Sequence, residues 1–287
     1  MGTTVLYVVV VVVALCIQTP CSLQWRLDEL EEIIDSIENE IEAAITQQQI
    51  QTGHDYTNII LRTAGKSIVS MREIIRLSAF GYPDGALSLA RNVYEHVIIL
   101  AFFQNHKYDK NFNDYVDDYH IDYDIQRNKA LQYESKNCTQ DAEALTVLKN
   151  ELDQLKQKAH HRVGGDYWWS GSSNFGQLVE TAIASVPDER GKRFLHGLHF
   201  TYKRACVSIH SSCMGNTLRL GADPDFAGID TSPTIKGHSL PLWFATTSFV
   251  YIMGVTYSQL NLDYKIHDHN LNDLALFFHQ KEQQPLN

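Results

Sequence analysis

The sequence has few cysteines, and their positions do not fit a disulfide framework. Five occur in 287 residues, and Cys16 and Cys21 lie in or beside an apolar N-terminal segment. Cys206 and Cys213 are seven residues apart on one predicted helix. That separation is a rise of about 10.5 Å, whereas a disulfide needs Cα atoms within about 7 Å. A sparse, odd set of thiols is typical of a reducing compartment rather than of a secreted domain.

The alternation of polar and apolar residues that marks a β-strand is missing from the sequence, as is any internal repeat. Apolar residues recur instead at helical spacing, which predicts an all-α protein. We expect a hydrophobic leader over residues 1–22 and an acidic amphipathic helix over 23–52. An up-down bundle of about seven helices should occupy 53–262. A polar tail follows over 263–287, with a helix near Leu271 to Phe278.

The apolar N-terminal segment is too short to cross a bilayer. Val5 to Ile17 gives 13 consecutive apolar residues, whereas a membrane span needs about 20. This length is typical of a secretory signal peptide cleaved between Thr19 and Ser22, although no Lys or Arg precedes the apolar run. An uncleaved short anchor is the alternative interpretation.

The leader and the cysteine content predict different compartments. The leader predicts a secreted or membrane-associated protein, whereas the sparse, unpaired cysteines favour the cytoplasm. Asn137, Cys138 and Thr139 form a glycosylation sequon, which would be used only after export to a glycosylating compartment.

Positive charge is scarce over the chain as a whole. The formal net charge is −10, which excludes binding of nucleic acid or anionic membrane by the whole surface. Any such binding must therefore use a local basic patch.

Charge of either sign is absent from one long segment near the C-terminus. Leu240 to Leu260 contains no Asp, Glu, Lys or Arg, so a membrane span has to be considered. Its Pro, Thr, Ser and Gln residues lower the hydropathy, and a buried helix at the end of the bundle is the alternative.

The acidic helix carries a regular apolar seam. Apolar residues follow a three-four repeat from Leu23 to Ala44, and acidic residues fill the opposite face. Such a helix can pack on its own bundle, or it can form an intermolecular coiled coil and make the protein a homodimer.

The stretch from Arg190 to Ala222 contains no Asp or Glu at all. Apolar residues recur in it at helical spacing, which predicts a long helix. Tyr202, Cys206 and His210 lie four residues apart and should form one stripe on that helix. The stretch holds six cations and three histidines: Arg190, Lys192, Arg193, Lys203, Arg204, Arg219, His196, His199 and His210.

Two Arg–His spacings suggest a chemistry. Arg91 and His96 form an Arg-x4-His motif, and Arg204 and His210 form an Arg-x5-His motif. Both motifs resemble the Arg-x4-6-His signature of HEPN domains, which are helical bundles. The resemblance implies a metal-independent ribonuclease that acts on single-stranded RNA without a cofactor.

A wider set of features resembles an uncharacterised bacterial family of all-helical, HEPN-like domains. The set comprises Arg91 with Glu95, a tryptophan-containing loop before a short helix over 168–179, and the Tyr202, Cys206 and His210 helix. The similarity covers about residues 56–260. Where that family often has Ser in the middle of its Tyr-x3-small-x3-His helix, this chain has Cys206.

These motifs define the candidate site. Arginine binds phosphate bidentately and stays charged, and histidine titrates near neutral pH, so Arg204 and His210 are the favoured catalytic pair. Arg91 and His96 are the second Arg–His pair. The supporting residues are Glu95, Tyr202, Cys206 and Ser208.

Three uses of this polar set remain open at the level of sequence. It can be a structural network that fixes helix register, a catalytic centre, or a non-catalytic ligand site. His196 and His199 have a spacing that could bind metal but no convincing third ligand, so we predict no metal. The rival to a nucleic-acid-acting enzyme is a non-enzymatic interaction protein whose partner surface is the seam from Leu23 to Ala44.

Overall fold

The computed structural model describes residues 21–50, 53, 55–209 and 237–283, and over these residues the protein is all-α, as predicted. The described part of the chain forms nine α-helices and no β-strand. In chain order they are α1 (Cys21–Gln47), α2 (Tyr56–Ala79), α3 (Pro83–His106), α4 (Phe112–Glu134), α5 (Ala142–Lys158), α6 (Phe175–Ala184), α7 (Glu189–Ile209), α8 (Ser239–Leu260) and α9 (Lys265–Gln283). The leader over residues 1–20 lies outside the described residues, so its expected cleavage stays a prediction.

Local sequence signals explain several helix ends. The side chain of Asn174 accepts a hydrogen bond of 3.1 Å from the backbone nitrogen of Gln177, which makes Asn174 the N-cap of α6. Asp141 caps α5 in the same way through the backbone nitrogen of Ala144, at 2.9 Å. The described part of α7 is one uninterrupted helix that passes through Gly197.

The chain divides into two compact units. The first comprises Met1–Gln51, Ile60–Val97 and Arg193–Asn287, and the second comprises Thr52–Ile59 and Ile98–Lys192. Both units are assembled from separate chain segments, and α2, α3 and α7 each contribute residues to both.

The apolar seam of α1 is buried inside the first unit. α1 packs against α9 and α8, and α8 packs against α9. Leu27, Leu30, Ile34 and Ile37 are all fully buried. The seam is therefore covered within the chain, so an intermolecular coiled coil is not what buries it, and it is not a free partner surface.

The predicted polar tail contains a packed helix that is longer than the one expected near Leu271 to Phe278. α9 extends over Lys265–Gln283, and its Leu271, Leu274 and Phe278 are buried in the first unit. This i, i+3, i+7 spacing was present in the sequence but was obscured by the surrounding polar residues. His267, at the start of that predicted polar tail, is buried and lies 2.8 Å from a Glu40 carboxylate oxygen.

Glu40 joins three helices of the first unit. Its carboxylate also accepts a hydrogen bond of 2.9 Å from the hydroxyl of Tyr257 on α8. Burial acts to raise the pKa of Glu40, but the hydrogen bonds from His267 and Tyr257 outweigh it and leave that pKa below its ordinary value. The carboxylate thus stabilises the packing of both C-terminal helices on α1.

The second unit has an aromatic core around the predicted tryptophan loop. Residues Trp168–Ser170 form a short 3₁₀ helix. The Trp169 ring stacks on Phe103, with centroids 5.2 Å apart, and meets Tyr119 edge-on at 4.9 Å. Trp168 donates a hydrogen bond of 2.6 Å to Asp122 on α4. These contacts give the loop a packing role.

Among the described helices, two are long and apolar enough to cross a membrane by length and composition alone, α3 and α8. In each of them, 61% of the most apolar window is buried inside the protein. A core helix gives the same result, so this is weak support for a membrane span. Leu240 to Leu260 was interpreted either as a membrane span or as a buried helix, and this degree of burial favours the buried helix.

Candidate functional site

A polar cluster forms where α3 and α7 face each other in the first unit. Arg91 and Glu95 lie one turn apart on α3, with Nε and Oε1 3.5 Å apart. The hydroxyl of Tyr202 on α7 donates a hydrogen bond of 3.1 Å to the same Glu95 oxygen. The Arg91 guanidinium also lies 4.0 Å from the Cys206 sulfur. Four of the eight residues predicted for the site therefore meet in space.

The cluster is only partly desolvated. The side chains of Arg91 and Glu95 are each 24% exposed. Burial raises the pKa of Glu95, and the Arg91 charge and the Tyr202 hydroxyl offset only part of that rise. Burial and the Glu95 charge likewise raise the pKa of the Tyr202 phenol, so this phenol stays a hydrogen-bond donor at neutral pH.

Aromatic rings close the inner side of the cluster. The Tyr202 ring packs on His199 and Tyr94, with centroids 5.7 Å and 5.2 Å away. Tyr94 is fully buried and packs in turn on Phe244 of α8, at 5.6 Å. The Arg91 guanidinium lies 5.8 Å from the Tyr202 ring centroid, within the range of a cation–π contact. The arrangement orients Tyr202 and Glu95 rigidly.

His96 does not join this cluster. Its Nδ1 lies 3.0 Å from the Ser67 hydroxyl on α2. Burial, with a smaller contribution from the Lys66 charge, lowers the pKa of His96 to about 4. Because His96 follows Glu95 by one residue, it is turned about 100° away from that side chain. His96 is thus a neutral, half-buried hydrogen-bonding group at physiological pH.

This lowered pKa predicts a pH-dependent stability. Well above pH 6.5, His96 is neutral in both the folded and the unfolded state, so its lowered pKa does not reduce the free energy of unfolding. As the pH falls towards about 4, the unfolded chain binds the proton first and the folded state loses stability. We expect wild type to lose about 2 kcal/mol of unfolding free energy between pH 7.5 and pH 5 from this residue.

Chemical denaturation at the two pH values measures that loss. His96→Gln keeps a hydrogen-bonding side chain that does not titrate, so it should show a pH dependence weaker by the same amount. His269→Gln, which changes a histidine with a 76% exposed side chain on α9, is the matched control and should behave as wild type. An unchanged pH dependence in His96→Gln would contradict the assignment.

Arg204 lies on the other side of α7 from the cluster. It is exposed, and helical geometry separates it by about 160° from both Tyr202 and Cys206. His210 and the side chain of Ser208 lie outside the residues that the structure describes. The structure thus divides the predicted residues into an inner cluster, a separate His96 and a solvent-facing Arg204.

The exposed face of α7 carries an aromatic residue, Phe200, that the sequence motifs did not single out. It is exposed there together with Arg193, His196, Lys203 and Arg204. The helical period alone would have placed Phe200 on the same face as these residues, but no motif drew attention to the ring.

The described residues contain no group of three or more His, Cys, Asp or Glu side chains arranged to hold a metal ion. His196 and His199 are three residues apart, but His199 packs on Tyr94 and Tyr202. His196 is exposed. The two histidines therefore have different surroundings, and their spacing does not create a metal site within the described chain.

Comparison with known proteins identifies the family. The model of DUF5677, a family of unknown function, matches residues 57–227. The chain belongs to this family. The DUF5677 match contains both sides of the polar cluster, since Arg91, Glu95, Tyr202 and Cys206 all fall within it. No curated protein and no solved structure matches the chain significantly.

The DUF5677 region is shorter than the resemblance expected from sequence, which extended to about residue 260. It leaves out α1, α8 and α9. These three helices complete the first unit, and one of them supplies Phe244 behind the cluster. The polar cluster therefore combines residues of the DUF5677 region with a supporting ring from outside it.

Proposed function

We propose that the protein is a metal-independent endoribonuclease that acts on single-stranded RNA. The observation that carries the proposal is the solvent-facing position of Arg204 on α7, within a stretch that has no acidic residue from Arg190 to Ala222. In a chain of net charge −10, an acid-free stretch of this kind is where we expect phosphate to meet the least repulsion. The two Arg–His motifs, which resemble those of HEPN ribonucleases, add support.

The reaction needs a base and a cation. His210 would accept the proton of the RNA 2′-hydroxyl, whose oxygen then attacks the adjacent phosphorus. The bond from phosphorus to the 5′-oxygen breaks, and the departing oxygen takes a proton from solvent. Arg204 would stabilise the charge that develops on the phosphorane oxygens, since its guanidinium stays protonated and binds phosphate bidentately.

The other predicted residues take a positioning role in this proposal. His96 is half-buried beside Ser67 with a lowered pKa, so it is unsuited to exchange protons with a bound RNA. Arg91 and Glu95 contact α7 through Tyr202 and Cys206. They would hold α7 in place without touching the substrate.

The test is cleavage of a labelled, unstructured RNA by purified protein in excess EDTA. We expect EDTA-resistant cleavage that leaves 2′,3′-cyclic phosphate and 5′-hydroxyl ends. DNA of the same sequence should remain intact, because it lacks the 2′-hydroxyl nucleophile. If the wild type cleaves no RNA under any condition, or if its products carry 3′-hydroxyl ends, the proposed reaction is wrong.

A second candidate is a non-enzymatic helical protein in which the cluster is purely structural. The contacts of Glu95 with both Arg91 and Tyr202 favour it, since they join α3 to α7 without requiring a substrate. It predicts that the same variants change stability while no RNA is cleaved. The EDTA experiment therefore separates the two candidates.

A further inference from the structure

The solvent face of α7 presents an aromatic ring between cations. At about 100° per residue, Phe200 lies about 20° from Arg193 and about 40° from Arg204 around the helix axis. All three side chains are exposed, and Phe200 is 65% exposed. Lys203 is exposed beside them. One face of a single helix thus combines positive charge with a large apolar ring in water.

An aromatic ring between cations is the composition of a single-stranded nucleic-acid surface. In such surfaces cations follow the phosphate backbone and aromatic side chains stack on the bases. Along α7, Arg193 precedes Phe200 by about 10.5 Å of helix rise and Arg204 follows it by about 6 Å. A base on the Phe200 ring would therefore have a cation on each side of it for the neighbouring phosphates.

Electrostatics favour a polyanion over another protein at this face. The acidic residue nearest in sequence is Glu189 in the first turn of α7, and Lys192 binds its carboxylate at 2.9 Å. The rest of the described α7 contains no acid. An acidic chain that concentrates exposed cations in one place fits a localised phosphate-binding surface.

We propose that single-stranded RNA lies along this face, with one base stacked on Phe200 and its phosphates held by Arg193, Lys203 and Arg204. This inference rests on the proposed function, because it identifies how that substrate would be held. It also specifies the substrate. A duplex hides the faces of its bases, so only unpaired nucleotides can stack on Phe200, and the stacking tolerates any base.

Binding is best measured with the His210→Ala protein, in which cleavage is expected to be slow. Fluorescence anisotropy would follow a labelled uridine-rich RNA, the DNA of the same sequence, and the RNA paired to its complement. RNA and DNA single strands should bind with affinities within a few-fold of each other, and the duplex should bind at least tenfold more weakly, because stacking needs no 2′-hydroxyl.

Two matched pairs of variants locate the surface. Adding Phe200→Ala should weaken single-strand binding about tenfold, whereas Phe80→Ala, which removes a 45% exposed ring elsewhere in the first unit, should not. Arg193→Ala should reduce the slope of log affinity against log salt by about 0.7. Arg76→Ala, at an exposed arginine on α2, should leave the slope unchanged.

The outcomes separate this inference from the proposed function. Binding that depends on Phe200 without any cleavage by wild type would refute the ribonuclease and leave the surface in place. RNA cleavage and binding that are both unaffected by Phe200→Ala would refute the surface and leave the ribonuclease. The absence of single-strand binding, or preference for the duplex, would overturn the inference. So would a wild-type dimer that Phe200→Ala converts into a monomer in sedimentation, because the face would then join two copies of the chain.

Discussion

Replacing His210 with alanine should slow the cleavage of single-stranded RNA by about 10²–10⁴-fold and leave the fold intact. The variant would lose the proposed base for the 2′-hydroxyl proton, while the cation of Arg204 would remain. Single-turnover cleavage rates in EDTA measure the effect, and thermal melting verifies the fold. Arg204→Lys keeps the positive charge but loses the bidentate geometry, so its rate should lie between those of wild type and Arg204→Ala.

His269→Ala is the matched control for this experiment. It removes a histidine with a 76% exposed side chain on α9 and should cleave RNA at the wild-type rate. If His210→Ala cleaves RNA as fast as wild type, the catalytic assignment is wrong, and the structural interpretation of the cluster becomes the better one.

Replacing Glu95 with alanine should lower the free energy of unfolding by about 3 kcal/mol, because it leaves the Arg91 charge partly buried without its carboxylate. It also removes the acceptor of the Tyr202 hydroxyl, which is 3.1 Å away in wild type. Side chains that are 24% exposed place the effect at the lower end of the range for buried ion pairs. Chemical denaturation measures it.

A double variant tests the physical cause. Arg91→Met combined with Glu95→Met removes both charges and keeps the apolar volume, so it should recover most of the lost stability. The matched control is Glu189→Ala, which breaks an exposed ion pair with Lys192. The Glu189 side chain is 77% exposed, so this change should lower the free energy of unfolding by less than about 0.5 kcal/mol. A loss below that value for Glu95→Ala would mean that solvent screens the Arg91 pair as well.

The parts of the fold that were predicted correctly depend on strong, local signals. The seam of α1 was visible because Leu27, Leu30 and Ile34 repeat against an acidic background. α9 was predicted only near Leu271 to Phe278, because its few apolar residues are dispersed among polar ones, and their burial depends on α1 and α8, which come much earlier in the chain or directly before it.

The candidate site was predicted only as far as spacing along single helices allows. One helical turn separates Arg91 from Glu95, and another separates Tyr202 from Cys206, so each pair was expected to share a face. Which histidine would accompany them could not be predicted, because that depends on neighbouring helices. His96 meets Ser67, whose position 29 residues earlier carries no motif.

The connection from Glu40 to His267 has a consequence for how the protein folds. These two residues are 227 positions apart, and Glu40 to Tyr257 spans 217. During synthesis the seam of α1 therefore emerges long before the helices that bury it. Until those helices are made, its apolar face is exposed to water or bound by chaperones. The acidic residues on the opposite face of α1 would keep the exposed helix soluble and repel other copies of the chain. Closing the first unit is accordingly a late event that requires nearly the whole polypeptide.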